Sequence, residues 1–214
     1  MAEDVRAAVA GDVYAAHMAT RADRASVAPT RDTYHHGDLR AALLATATGM
    51  LEDGEAFSLR ALARRAGVSP TATYRHFADR DTLESALAAE GFRDLLADLF
   101  AGGAQPTTPD DLVEVGVAYV RFALRCPALF RLMFGTRCDD THDQRVRSAA
   151  ALHETLAAAL ERVIPDADPA PSALACWGLV HGLACLHLDG KLPDSPVAEV
   201  DARVRAALGS VLPS

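Results

Sequence analysis

Four times along this chain, a short polar residue able to cap a helix is followed at once by proline: Ser69-Pro70, Thr108-Pro109, Asp168-Pro169 and Ser195-Pro196. The oxygen of such a side chain accepts from a backbone N–H left free at a helix start, and proline in the first turn gives up an N–H that had no partner. Each pair marks the opening of a helix. After Thr108, Leu112, Val115, Gly116, Tyr119, Val120, Ala123 and Leu124 fall on one helical face. The same spacing carries Leu39, Ala42, Leu43, Thr46, Ala47, Met50 and Leu51, with Asp38 as the expected cap and Gly54 as the stop. Asp81 and Glu84 read as a capping box for a helix carrying Leu83, Leu87, Leu95 and Leu99. Further helices are expected over 127–134, 144–164, 169–188 and 196–212. Aromatic residues are only 6% of the chain and no strand-like alternation of useful length occurs. The fold class is all-α, with about nine or ten helices.

At 214 residues the chain can bury a sizeable core without disulfides or metal. Three segments are expected: a mobile N-terminal arm over 1–30, a small helical domain over 31–80 and a larger helical domain over 81–214. Met18 offers an alternative start. The net charge of −8 argues against a nonspecific nucleic-acid binder, whose affinity comes from neutralised phosphates. The four cysteines form no C-x-x-C pair and charges interrupt every apolar stretch near the N-terminus, so a cytoplasmic location with free thiols is expected. The longest apolar run, 173–188, contains His181 and His187 and is read as too short for a membrane span.

Residues 58–80 reverse the charge. They hold Arg60, Arg64, Arg65, Arg75 and Arg80 against Asp79 alone, a balance of +4, leaving −12 on the rest. Within them, Ser58 caps one short helix, Gly67 ends it and Ser69-Pro70 opens another, which is the helix-turn-helix arrangement. Ala63, Val68 and Thr73 are small enough for close packing, and Phe77 closes the small core. Thr71, Ala72, Tyr74 and Arg75 are left on the outer face, free to enter a major groove.

The segment Tyr34-His-His-Gly-Asp-Leu-Arg40, followed by 58–77 ending Tyr74-Arg-His-Phe77, resembles the N-terminal domain of TetR/AcrR-family transcriptional regulators. Trp177-Gly-Leu-Val-His181-Gly182 is similar to the regulatory domain of a subgroup with a Trp-His-Gly signature. The resemblance implies a homodimer that binds a pseudo-palindromic double-stranded DNA operator, usually as a repressor, and is released by a small hydrophobic effector. It puts Ser69, Thr71, Ala72, Thr73, Tyr74 and His76 on the recognition helix, with Tyr74, His76 and Arg80 as phosphate contacts and Thr73 as core. Ser58 and Arg60 sit at a helix N-terminus that favours phosphate. His35 and His36 suit phosphate contact and a solvated cap equally, and Arg31 is a lesser candidate for the minor groove.

In the larger domain, Phe122, Phe130, Met133 and Phe134 concentrate aromatic and flexible apolar bulk. That pattern suits plain core; the resemblance makes them candidate pocket residues together with Trp177 and His181, whose i, i+4 spacing suits packing as well. Gly178 and Gly182 would let a helix approach closely. The last two helices, the final one with Val197, Val200, Val204, Leu208 and Val211 on one face, are the expected dimer interface. His181, Cys185 and Asp189 share a spacing but lack a second ligand cluster, so no metal is expected. No catalytic motif stands out, and neither an enzyme nor a cofactor is expected. The alternative function is a DNA-binding protein without a small-molecule effector, either architectural or controlled by a protein partner.

Overall fold

The computed structural model describes residues 36–55, 57–101, 103, 105–135, 143–166 and 168–212. The arm, Met18, Arg31, His35, the side chains of His36 and Asp38, Cys138 and most of the loop before 143 lie outside the described residues. Those described form nine helices and no strand: α1 (His36–Glu52), α2 (Leu59–Arg65), α3 (Pro70–His76), α4 (Arg80–Leu99), α5 (Pro109–Arg125), α6 (Pro127–Gly135), α7 (Asp143–Val163), α8 (Pro169–Leu188) and α9 (Val197–Gly209). The chain divides into two compact units, one ending at Glu84 and one beginning at Ser85.

In the first unit α1 packs on α2 and α2 on α3. Leu43, Leu44, Ala47 and Met50 supply the buried face of α1, and Leu59, Ala61, Leu62 and Ala63 that of α2. Phe77 is fully buried beneath the Arg40 guanidinium, which lies 5.4 Å from its ring centre. Gly67 adopts φ +68°, so the chain leaves α2 through a left-handed residue that a Cβ would strain.

The second unit is built around α5, which packs against α8 and α9 and, less extensively, α6 and α7. Its start is the expected one: the Thr108 hydroxyl accepts from Asp111 N–H, while the Asp111 carboxylate accepts from Thr108 N–H. The buried face is wider than the periodicity indicates, for Val113, Val117 and Phe122 are covered as well. A helix with neighbours on several sides buries more than one stripe. At Gly116 the approach of α9 is so close that an added Cβ would collide with Leu208, and it would lie 3.1 Å from Val180.

Several expectations need correction. The box at Asp81 and Glu84 does not form: Asp79 caps α4 by accepting from Thr82 N–H at 2.8 Å, and Glu84 pairs with Arg80 one turn away. Ser195 does not cap α9 either; Pro196 is the cap residue, makes no side-chain cap bond, and Ser195 instead accepts from Arg203. The apolar face foreseen on α9 is split. Val200, Val204 and Leu208 are buried within the subunit, with Leu208 seated over Gly116, whereas Val197 and Val211 are exposed. Finally, α8 starts at Pro169 and is, by length and composition, apolar enough to cross a membrane, because the run counted from 173 omits its first turn. Leu174 and Leu186 are exposed, and Gly178 and Gly182 face open space.

Candidate DNA-binding face and effector cavity

Ser58 and Ser69 are both exposed and both spent on capping: their hydroxyls accept from Ala61 N–H at 3.1 Å and Ala72 N–H at 3.2 Å. Two free hydroxyls are thereby turned into anchors for the starts of α2 and α3. Around them Arg60, Thr71, Tyr74 and Arg75 are exposed, while Ala72 and His76 are half-buried. Tyr74, 46% exposed, is one of the few large hydrophobic side chains among the described residues that are open to solvent. Thr73 is fully buried. The outer side of α3 therefore carries a phenol, a guanidinium, a hydroxyl and a methyl group on a backbone held at both ends, by the Ser69 cap and by Phe77.

The basic charge of this unit is less available than the sequence count implies. Arg65 is engaged by Asp53, at 3.0 Å, and by Glu55. Arg80 donates to Glu84 at 2.6 Å and leans over the Phe57 ring. A phosphate approaching Arg80 would have to displace or share the Glu84 carboxylate, which is largely covered while the guanidinium is exposed. Asp53 and Glu55 lie outside the 58–80 stretch whose charge balance is +4.

In the second unit a cavity of about 50 Å³ lies among α4, α5, α7, α8 and α9. Its wall is almost wholly apolar, with Leu99, Val115, Tyr119, Leu156, Cys176 and Trp177 among the lining residues. Of the six pocket candidates only Trp177 lies on this wall. Phe122, Phe130 and Met133 are buried elsewhere. Phe130, Phe134 and His181 form a ring cluster against Tyr119, with Phe134 and His181 centroids 4.7 Å apart.

Tyr119 is the residue that sequence reasoning missed. Its spacing marks it as one more apolar position on α5, yet it carries a polar relay at the cavity wall. Trp177 Nε1 donates to the Tyr119 oxygen at 3.2 Å, and that oxygen lies 2.9 Å from His181 Nδ1. The Tyr119 oxygen thus accepts the indole N–H and shares a second hydrogen bond with the imidazole. Burial pushes the Tyr119 phenol up and the His181 imidazole down, so both stay neutral at pH 7. Burial likewise pushes the Cys176 thiol up, away from thiolate reactivity. The three potential metal ligands on α8 do not converge: His181 faces Tyr119, whereas Asp189 pairs with Arg131 at 2.6 Å.

Residues 43–87 match the family described as bacterial regulatory proteins, tetR family, and residues 112–211 match the tetracyclin repressor-like C-terminal domain. A protein of unknown function from a Rhodococcus species is similar in structure at 34% identity and TM-score 0.71, covering 85% of this chain and 99% of its own. A transcriptional regulator of the TetR/AcrR family from Thermobifida fusca superposes with TM-score 0.62 at 18% identity, over 82% of this chain and all of its own, a likeness of fold. An HTH-type transcriptional regulator of Mycobacterium bovis is 29% identical over 119 residues, 53% of this chain. The match spans about half, 50%, of that relative's length. With both family models matching in order on an all-helical chain that carries a helix-turn-helix, the chain belongs to the tetR family of bacterial regulatory proteins.

Proposed function

We propose that this protein is a cytoplasmic transcriptional regulator, a repressor that binds a pseudo-palindromic operator as a homodimer and leaves it when a small hydrophobic molecule enters the second unit. The observation that carries the reading is the α2–turn–α3 element, whose outer side presents Thr71, Tyr74 and Arg75 while its inner side is sealed by Thr73 and Phe77. Phosphate contacts from Tyr74, His76, Arg60 and Arg80 would supply affinity and register, and Thr71, Ala72 and Arg75 would read base edges. The exposed apolar side of α8, with Leu174, Gly178 and Leu186, supports a dimer through this helix; so do Val197 of α9 and Val211 just past its end. Helix α4 begins with Arg80 and carries Leu99 on the cavity wall. The test is a gel shift against DNA flanking the gene, with salt varied. Tight binding to one fragment that weakens steeply with salt supports the reading; equal weak binding to every fragment defeats it.

One observation favours the alternative, a DNA-binding protein without a small-molecule effector. A cavity of about 50 Å³ is far below the roughly 300–1,000 Å³ of sites for drug-sized ligands. An effector would have to part the side chains around it. Trp177, the only tryptophan of the chain, stands on the cavity wall, so its fluorescence separates the two readings directly.

A further inference from the structure

Arg145 is the largest fully buried side chain among the described residues, 1% exposed, in the first turn of α7. Its Nε and Nη1 make no hydrogen bond, and among the described residues no carboxylate pairs with it. A buried guanidinium without a counter-charge costs several kcal/mol, which makes a surface position the ordinary place for arginine. The other buried charges are provided for: Asp201 is held by Arg121, and Arg125 by Asp98. Arg145 is the exception.

Its place on α7 connects it to the cavity. Residues 145, 152 and 156 are separated by seven and eleven positions, multiples of about 3.6, so they share one face of the helix. Leu152 on that face is buried, and Leu156 and Leu160 line the cavity. Arg145 and Leu156 are about 16 Å apart along the axis, the length of an extended hydrocarbon chain of about a dozen carbons. An apolar wall at one end of a buried helix face and an unpaired cation at the other suit an amphiphile with an anionic head.

We infer that Arg145 is the headgroup site of the effector, which is an apolar molecule ending in an oxyanion, carboxylate or phosphate, paired with the guanidinium. This rests on the effector reading above and names its chemistry. An oxyanion supplies the acceptors that Nε and Nη1 lack, and charge-assisted bonds to arginine are the strong ones. Filling the site removes a standing penalty of the empty protein, so ligand binding and stabilisation of α7 are one event.

The experiment titrates the full-length protein with dodecanoate, 1-dodecanol and inorganic phosphate, following Trp177 fluorescence and thermal unfolding. Dodecanoate is expected to bind about tenfold to a hundredfold more tightly than the alcohol, as a charge-assisted bond requires. Arg145→Met should reduce the acid to the level of the alcohol, leave the alcohol unchanged, and raise the melting temperature of the ligand-free protein. Arg145→Lys, which keeps the charge, should retain a reduced preference for the acid. Equal affinity for acid and alcohol overturns the headgroup assignment while leaving the cavity reading standing. A preference for the acid that survives Arg145→Met also overturns it. Phosphate stabilisation that equals dodecanoate's and vanishes in Arg145→Met assigns the site to a free anion and refutes the amphiphile. If neither acid nor alcohol changes Trp177, the effector reading fails and the headgroup with it.

Discussion

Arg121 of α5 and Asp201 of α9 form a two-bond ion pair whose partners stand in unequal surroundings. Arg121 Nε donates to Asp201 Oδ1 at 2.9 Å, and a second bond runs from Nη2 to Oδ2. The aspartate side chain is 5% exposed and the arginine side chain 50%. Removing either partner therefore costs different amounts. In Arg121→Met the carboxylate stays behind in a nearly dry site beside Val200 and Val204 with only the nearby Arg205 to offset it, and stranding a buried charge costs up to about 3–5 kcal/mol. In Asp201→Asn the half-exposed guanidinium turns to water and a neutral bond can replace a charged one, a loss of about 1 kcal/mol. The double variant, with no charge left to strand, should recover at least about 1.5 kcal/mol relative to the sum of the single losses. The assay is urea unfolding of each variant and the double by circular dichroism. If Asp201→Asn proves more damaging than Arg121→Met, or the two losses simply add, burial does not govern this pair and the reasoning is refuted.

Four further outcomes can be checked on the same footing. Arg75→Ala should weaken operator binding by about 1–3 kcal/mol and relax its sequence preference. Arg80→Ala should weaken binding to all sequences and flatten the logarithmic salt dependence by about one unit; an unchanged slope would mean that Glu84 keeps this guanidinium. Gly178→Leu, in open space within the subunit, should leave helix content intact and shift the molecule from dimer to monomer in sedimentation; an undiminished dimer would put the interface elsewhere. Burial lowers the His181 imidazole below its unfolded value of 6.5, so the unfolded chain binds more protons and stability falls as pH drops through about 6.5 and below. His181→Gln should flatten that part of the profile in denaturant titrations between about pH 7 and pH 5.

The helices and most of their ends were legible because the signals are local. The oxygens of Ser58, Ser69 and Thr108 each cap N–H groups three positions on, and Gly67 turns the chain alone. The two misread caps show the limit of that reasoning. Asp79 and Asp81 stand two residues apart before the same helix, and which one caps depends on where Phe77 pins the preceding turn. Ser195 competes between a cap and the Arg203 guanidinium, and the local pattern cannot rank the two. On the DNA-binding side, the outward set on α3 follows from a seven-residue helix with Thr73 inside. The loss of Arg65 does not, since it depends on Asp53 and Glu55 arriving from the segment after α1, whereas Arg80 meets Glu84 one turn along its own helix.

In the second unit the division is sharper. Trp177 and His181 stand out through their i, i+4 spacing, but Tyr119, whose oxygen they share, sits 58 and 62 positions away. The Glu114–Arg205 pair spans 91 positions, and Arg121–Asp201 spans 80. Arg145 reads in the sequence as one of many arginines on a charged helix start; only packing removes it from water. Helix periods and caps are decided by interactions within a turn, where each side chain has few possible partners, and so they belong to the sequence alone. Which faces meet, which charge is left without a counter-ion and how much space remains beside Trp177 depend on packing between helices distant in the chain, and tertiary structure alone decided them.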